Sequence, residues 1–331
     1  MPAHHLPAGT AAAPTRPELW LQIRANIWSY IYLAPMLILL LVFTVYPIFA
    51  SLGYTLYQWN GIGQPSTYVG LANFQHVVHD PLFWGAFVHT FTYTAVLVPV
   101  QLTLALILAL VLNNPKLRGV SFYRAIYFIP AVTSPAVIGV VIQLILTTFG
   151  DDLDRLLLHA GLISRHIDWL GDPHTALAVI ILIGIWNTLG YNLVYFLAAL
   201  QSVPTELYEA ARIDGAAAPA RFWYITIPLI RGIGLIILIL AILGSLQVFD
   251  LVQVLTQGGP YFATEVVNSY IYHQAFGGAS GQTAAQPNIG FASAASFFYG
   301  VLLLALTGIQ LLIFRYAARR RTEFQTGGAA G

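Results

Sequence analysis

The chain has 331 residues, 58% of them hydrophobic and only 8% charged, with a net charge of +1 and no cysteine. A soluble domain carries roughly 25% charged residues, so these few cannot cover a water-facing surface. The missing cysteines exclude a disulfide framework, a thiolate metal site and a cysteine nucleophile. With no basic stripe to neutralise phosphates, a nucleic-acid partner is excluded too. Length alone would suggest two globular domains of ~150 residues, but the apolar residues come in long runs rather than at the spacing of one core face.

A bilayer core about 30 Å thick needs roughly 20 helical residues to cross it. Six segments reach that length, at about 29–51, 86–112, 123–147, 176–200, 229–249 and 293–314. The sequence therefore predicts an all-α membrane protein with a tail at 1–27, a six-helix domain at 28–318 and a second tail at 319–331. The first run, Trp28 to Tyr54, is too long for the apolar part of a signal peptide and reads as an uncleaved helix. In the third span Pro130 and Pro135 stand five residues apart beside Ser134. That pair should break the hydrogen-bond ladder, which is tolerated at depth only in a protein interior or a wet cavity.

Six spans put both termini on one side, and the 14 Lys and Arg decide which. Arg16 and Arg24 lie in the first tail, and Lys116, Arg118 and Arg124 between spans two and three. Arg212, Arg221 and Arg231 lie between spans four and five, and Arg315, Arg319, Arg320 and Arg321 in the last tail. Only Arg155 and Arg165 fall on the other side, in a segment that also holds Asp151, Asp152, Asp154, Asp168 and Asp172. Cytoplasmic loops are enriched in Lys and Arg, so both termini are expected inside.

Machinery for energy coupling is missing from the sequence. A phosphate-binding P-loop needs a lysine after a glycine-rich turn, but the one lysine, Lys116, stands in Asn-Pro-Lys-Leu-Arg. Ion-driven carriers keep carboxylates or paired charges inside their helices, whereas the interiors of these spans hold none. Asp250 and His89 sit only near span ends. If the protein moves a solute uphill, the energy comes from another subunit.

The cytoplasmic connection Gln201–Pro228 is built to be ordered. Thr205 is placed as an N-cap, with Glu206 in the first turn where an acid suits the helix dipole. Leu207, Ala210, Ala211 and Asp214 follow at helical spacing, and Gly215 stands where a left-handed residue would end the helix. Pro219 can open a second short helix carrying Phe222, Trp223 and Ile225, before Pro228 redirects the chain into span five. The residues alone admit two readings: a docking surface for another protein, or a hairpin lying on the membrane surface. Glu209-Ala210-Ala211-x-x-Asp214-Gly215-Ala216, followed by Phe222, Ile225 and Pro228, resembles the EAA loop of permease subunits of binding-protein-dependent ABC importers. The stretch from Pro35 to Gly61, then Val69-Gly70-Leu71-Ala72-Asn73-Phe74 and Leu255-Thr256-Gln257-Gly258-Gly259-Pro260, is similar in the same order to carbohydrate-importer permeases.

The resemblance implies the type I ABC importer permease fold and no chemistry by this chain itself. It also implies coupling of Glu209, Ala210, Ala211, Asp214, Gly215, Phe222 and Pro228 to a cytoplasmic ATPase. The partners implied are a second homologous permease, two ATP-binding cassette subunits that hold the ATP and magnesium, an extracytoplasmic solute-binding protein and membrane lipid. The same wider family includes maltose-type permeases and the glycerol-3-phosphate permease, so a phosphorylated polyol is the alternative cargo. A secondary carrier and a membrane-embedded enzyme are the remaining classes.

Polar side chains within a bilayer face the bundle interior. Asn187, Tyr191 and Tyr195 recur every four residues and share a face of span four, with Asn192 one step round and Gly184 and Gly190 leaving room. Span five carries Gly244, Ser245, Gln247 and Asp250, with Gln247 and Asp250 expected on one face, and span three carries Gln143. Such residues either hydrogen-bond neighbouring helices or line a path. The importer resemblance favours a path for a neutral sugar, since no buried Arg or Lys would grip a phosphate. Seven of the nine histidines fall outside the cytoplasm, among them His76 and His79. That pair, without cysteine or an HExxH helix, is not expected to hold metal, and no catalytic cluster is visible. Gln257–Asn288, rich in Gly, Ala and Gln, reads as a docking surface or a mobile loop.

The charge pattern makes a topology prediction. A reporter fused after Arg321 should be cytoplasmic and one inserted at Asp152 should face outward; finding both on one side would exclude six spans.

Overall fold

Prolines set the segmentation of this chain. The computed structural model describes residue 24 and residues 26–114, 117–278 and 286–327, the last stretch with side chains to residue 312. Arg16, Lys116 and the side chains of Arg315, Arg319, Arg320 and Arg321 lie outside the described residues. The described residues divide into two compact units between Ser51 and Leu52. α1 (Ile27–Leu40) passes through a π-turn (Leu41–Val45) into α2 (Tyr46–Tyr54), whose last three residues belong to the second unit; this apolar rod has no fully buried side chain.

A proline inside a helix cannot donate to the carbonyl four residues back and clashes with it. At two places the chain avoids this by widening one turn. Pro47 and Pro228 each follow a π-turn by two residues, and the residue before each proline reaches back five positions, Tyr46 N–H to Leu41 O and Ile227 N–H to Phe222 O. The helix then continues instead of breaking. Pro228 thus does not redirect the chain as expected. A single helical course runs through α9 (Ala218–Arg221), the π-turn Phe222–Thr226 and α10 (Ile227–Leu246).

The expected break in span three is present. α5 (Val120–Val132) ends at Thr133 and Ser134, both with extended ψ, and α6 starts with Pro135 at its first position. The residue before a proline is driven out of the helical region, and a proline at the first helical position loses nothing. Helix α6 runs to His159, so Asp151, Asp152, Asp154 and Arg155 stand on a helix rather than in a loop. Asp154 is buried there, accepting from Ile167 N–H (2.8 Å) and Trp169 Nε1–H (2.9 Å).

α4 (Pro81–Leu112) begins five residues earlier than the sequence suggested. The Asp80 side chain caps it by accepting from Leu82 N–H at 2.8 Å, and Pro81 fits the first turn. At 1.5 Å per residue its 32 residues span about 48 Å, more than the apolar layer requires. α7 (Ala176–Gln201) packs along it, and α13 (Ile289–Gly327) closes the chain. Among the described residues six helical stretches are long and apolar enough to cross a membrane, in agreement with the predicted number.

Before α4 a two-residue hairpin, β1 (Tyr57–Gln58) against β2 (Thr67–Tyr68), leads into α3 (Ala72–His79). Asn73 Nδ2 holds its base by donating to Thr55 O (2.8 Å) and Tyr57 O (2.9 Å). Gly290, in the first turn of α13, lies against the carbonyls of Tyr54 and Tyr57, where any Cβ would collide with Tyr57 O. The segment expected to be a mobile or docking loop, 257–288, contains α12 (Val267–Phe276). Its start is tied down: Thr90 Oγ1 accepts from Val267 N–H at 3.0 Å, and buried Glu265 accepts from Ser269 Oγ–H at 2.7 Å with His273 Nδ1 at 3.0 Å. His89, inside α4, reaches Glu265 O. His76 packs on Phe291 and His79 on Gln75 O; among the described residues no group of three metal-ligating side chains is assembled.

Lipid is as apolar as leucine, so helix association in a membrane rests on close packing and small residues at the contact. Gly190 on α7 shows this directly, because a Cβ there would lie 2.5 Å from Tyr127 O and 3.0 Å from Phe128 Cα of α5. Gly190→Ala should destabilise the protein by about 1–3 kcal/mol, seen as a lower melting temperature in detergent. Gly232→Ala, where a Cβ meets nothing within 4 Å, should melt with the parent. Equal melting of both variants would mean α5 is not held against α7.

Candidate functional site

Two helix breaks and the polar face of α7 border a cavity of about 410 Å³. α4 contributes Tyr93, Leu97 and Gln101, and α7 contributes Asn187, Thr188, Tyr191, Asn192 and Tyr195. Pro135 stands at the first break, and α10 brings Gly244 and Ser245. The second break, residues 247–249, adds Gln247 and Phe249, and α11 (Asp250–Leu255) adds Asp250. All seven polar residues proposed from sequence as path-lining thus meet at one cavity. They differ in what they do there.

Asn187, Asn192 and Ser245 are buried and hydrogen-bonded within the bundle. Asn187 Nδ2 donates to Pro130 O at 2.7 Å, in the last turn of α5, a carbonyl that also accepts from Thr133 N–H at 3.3 Å. Asn192 Nδ2 donates to Thr188 O at 3.1 Å and Ser245 Oγ to Ile242 O at 2.9 Å. Tyr191, Tyr195, Gln247 and Asp250 instead present exposed surface, and the Tyr191 ring is set edge-on against Phe128 at 5.8 Å. Asp250 is the single charged side chain among the lining residues.

Gln247 and Asp250 do not share a helix face, as the sequence suggested. α10 ends at Leu246, Phe249 adopts φ −151° and ψ −60°, and α11 starts afresh. No proline or glycine stands within residues 247–249, although Gly244-Ser245 in the last turn of α10 weakens the helix just before them. The break is stabilised from outside the segment, since Tyr299 Oη on α13 donates to Leu246 O at 2.7 Å and Asn268 Nδ2 on α12 to Val248 O at 3.4 Å. The freed carbonyls thus keep partners where water is absent.

Gln101 and Thr188 were not picked out from the sequence. They hydrogen-bond to each other, Thr188 Oγ1 donating to Gln101 Oε1 and also to Gly184 O. The signal was available, because Gln101 is a lone amide in an otherwise apolar run, Val98-Pro99-Val100-Gln101-Leu102, and such groups face the bundle interior.

The second candidate surface is the connection after α7. Helix α8 (Thr205–Ile213) has Pro204, not Thr205, at its N-cap; the proline ring holds φ at −58° and Thr205 is the first helical residue. At its end Gly215 takes φ +79°. Gly215 N–H bonds Arg212 O (3.1 Å) and Ala216 N–H bonds Ala211 O (2.8 Å), the paired bonds of a Schellman motif. Only glycine takes that conformation without strain. The elbow leaves Glu209, Ala210, Asp214 and Pro228 exposed, Ala211 and Phe222 partly covered, and Ile213 87% exposed.

Asn187 and Gln247 separate two roles in one measurement. Asn187→Ala removes the shorter of the two hydrogen bonds to Pro130 O and should cost about 0.5–1.5 kcal/mol, lowering the melting temperature. Gln247→Ala, with its side chain exposed to the cavity, should leave it unchanged; equal losses would mean both residues only hold helices together.

Residues 84–323 match the family described as binding-protein-dependent transport system inner membrane component. The lactose transport system permease protein LacF of Rhizobium radiobacter is 35% identical over 298 residues, covering 89% of this chain and 95% of that protein. The sn-glycerol-3-phosphate transport system permease protein UgpA of Agrobacterium fabrum is 30% identical over 296 residues, covering 89% and 96%. Among solved structures, a bacterial ABC transporter involved in the import of the acidic polysaccharide alginate superposes with a TM-score of 0.75 at 24% identity, covering 90% of this chain and 98% of that one.

Proposed function

The chain belongs to the binding-protein-dependent transport system inner membrane components, and we propose that within this family it passes a neutral di- or oligosaccharide. It is a multi-pass protein of the cell membrane and a permease subunit of an ABC importer. With a second, homologous permease it forms the path; a solute-binding protein delivers the cargo from outside, and two ATPase subunits, holding ATP and magnesium, work from the cytoplasm.

The observation that carries the cargo is the chemistry of the cavity. Its walls combine tyrosine rings with amides and hydroxyls, and none of the lining residues is Lys, Arg or His. Sugars offer hydroxyls to amides and apolar ring faces to aromatic side chains. A phosphorylated polyol would leave its charge facing Asp250 without a compensating cation, a costly arrangement in a low-dielectric site. Similarity to a lactose permease supports the same reading. The glycerol-3-phosphate relative is the reason to test the alternative directly.

Transport follows from the elements at the two surfaces. α8 and its Schellman elbow seat on the ATPase, with Glu209 and Asp214 as charged contacts. Closing of the ATPases on ATP moves the loop, and the cavity changes the side to which it opens. ATP can shift that equilibrium only by its differential affinity for the two states.

The test is uptake by the complete transporter in vesicles, with lactose and glycerol-3-phosphate as alternative cargoes. Lactose or another neutral disaccharide should be accumulated and glycerol-3-phosphate should not; the reverse would overturn the cargo. Gln247→Ala and Tyr191→Ala should lower uptake at least tenfold with the complex intact. Gly215→Val and Glu209→Lys should abolish uptake while the chain still inserts, read beside co-purification of the ATPase. Normal uptake by these last two would remove α8 from coupling.

A further inference from the structure

Helix α8 is poorly attached for an element that must deliver a push. Most of its side chains are exposed, and it joins span five through a glycine elbow and the extended residue Ala217 (φ −67°, ψ 160°). An elbow alone is a pivot: α8 could swing about Gly215 without moving the membrane helix beyond it. Among the described residues, one side-chain hydrogen bond crosses the elbow, between Tyr208 Oη on α8 and Thr226 Oγ1 at 2.9 Å.

The two ends of this bond are placed for transmission. Thr226 is 3% exposed and is the last residue of the π-turn, with its hydroxyl also 3.4 Å from Arg221 O. Tyr208 and Ile225 pack beside it on the cluster built around Leu193, Phe196 and Ile230. From Thr226 the helix α10 runs without interruption to Leu246, where the break at 247–249 opens onto the cavity. A π-turn lacks the regular ladder, which makes it a natural place for a helix to be gripped or bent.

We propose that Tyr208 and Thr226 form a positioning pair that locks α8 to span five, so that displacement of the loop by the ATPase becomes displacement of the cavity wall. The proposal rests on the reading of α8 as the coupling element. Neither residue touches solute. Their bond triangulates the elbow, closing α8, Gly215–Ala217 and the π-turn into one rigid unit.

The chain has no cysteine, so one introduced thiol reports on the cavity when label is read on this chain after the subunits are separated by denaturing electrophoresis. Gly244 lines it, with nothing within 4 Å of an added Cβ. Gly244→Cys in the complete transporter is labelled with a membrane-impermeant maleimide added outside, before and after trapping with ATP and vanadate. In the parent, labelling should rise at least fivefold on trapping. Tyr208→Phe and Thr226→Val should lose most of that rise while trapping the same amount of nucleotide, and Thr226→Ser should keep it. A purely structural role would lower nucleotide trapping and labelling together. A full rise in both Tyr208→Phe and Thr226→Val overturns the pair while leaving the coupling reading intact; absence of a rise in the parent, or of nucleotide trapping, overturns both.

Discussion

Within a bilayer no water is available to a backbone group that loses its partner, and each such loss costs several kcal/mol. The whole arrangement around the cavity answers to that constraint. The chain interrupts two spanning helices, and at each interruption a side chain from another helix donates to a carbonyl at the break: Asn187 at Pro130, and Tyr299 and Asn268 at Leu246 and Val248. Where a proline would break a helix without such a partner, at Pro47 and Pro228, a π-turn precedes it and the ladder continues. Unwound backbone thus occurs where protein supplies the hydrogen bonds, and that is also where polar side chains converge on a cavity.

The same constraint explains how the two candidate surfaces differ. Inside, Asn187, Asn192 and Ser245 have hydrogen bonds within the bundle, which leaves Tyr191, Tyr195, Gln247 and Asp250 to present surface to the cavity. α8 can expose the carboxylates of Glu209 and Asp214 because water satisfies what the protein does not.

Much of this was legible in the residues, for identifiable reasons. Span number follows from apolar run length, the break in span three from two prolines, and the elbow from Gly215 in its helical context. The break after Leu246 was hidden, because Gly244-Ser245 is only a weak local signal; its stabilising groups lie on α12 and α13, tens of residues away. The early start of α4 depended on Asp80 acting as a cap, which competes with reading Asp-Pro as a loop. Gln101 escaped notice because its neighbours are uniformly apolar, although a solitary amide in such a run is itself the signal. Tyr208 and Thr226 carry no pattern at all, since a hydroxyl pair eighteen residues apart becomes meaningful only once a π-turn brings them together.

The seat of the hairpin on Gly290 has a consequence for how the protein is made. The carbonyls of Tyr54 and Tyr57 rest on a residue that the ribosome adds more than two hundred positions later. At about 5–20 residues per second, the hairpin waits roughly 10–50 seconds for its support while the intervening helices are inserted. Closure of the fold is therefore a late event, completed when the last spanning helix arrives. A chain truncated before residue 289 would present the hairpin without its seat, in a form distinguishable to quality-control proteases from the finished subunit.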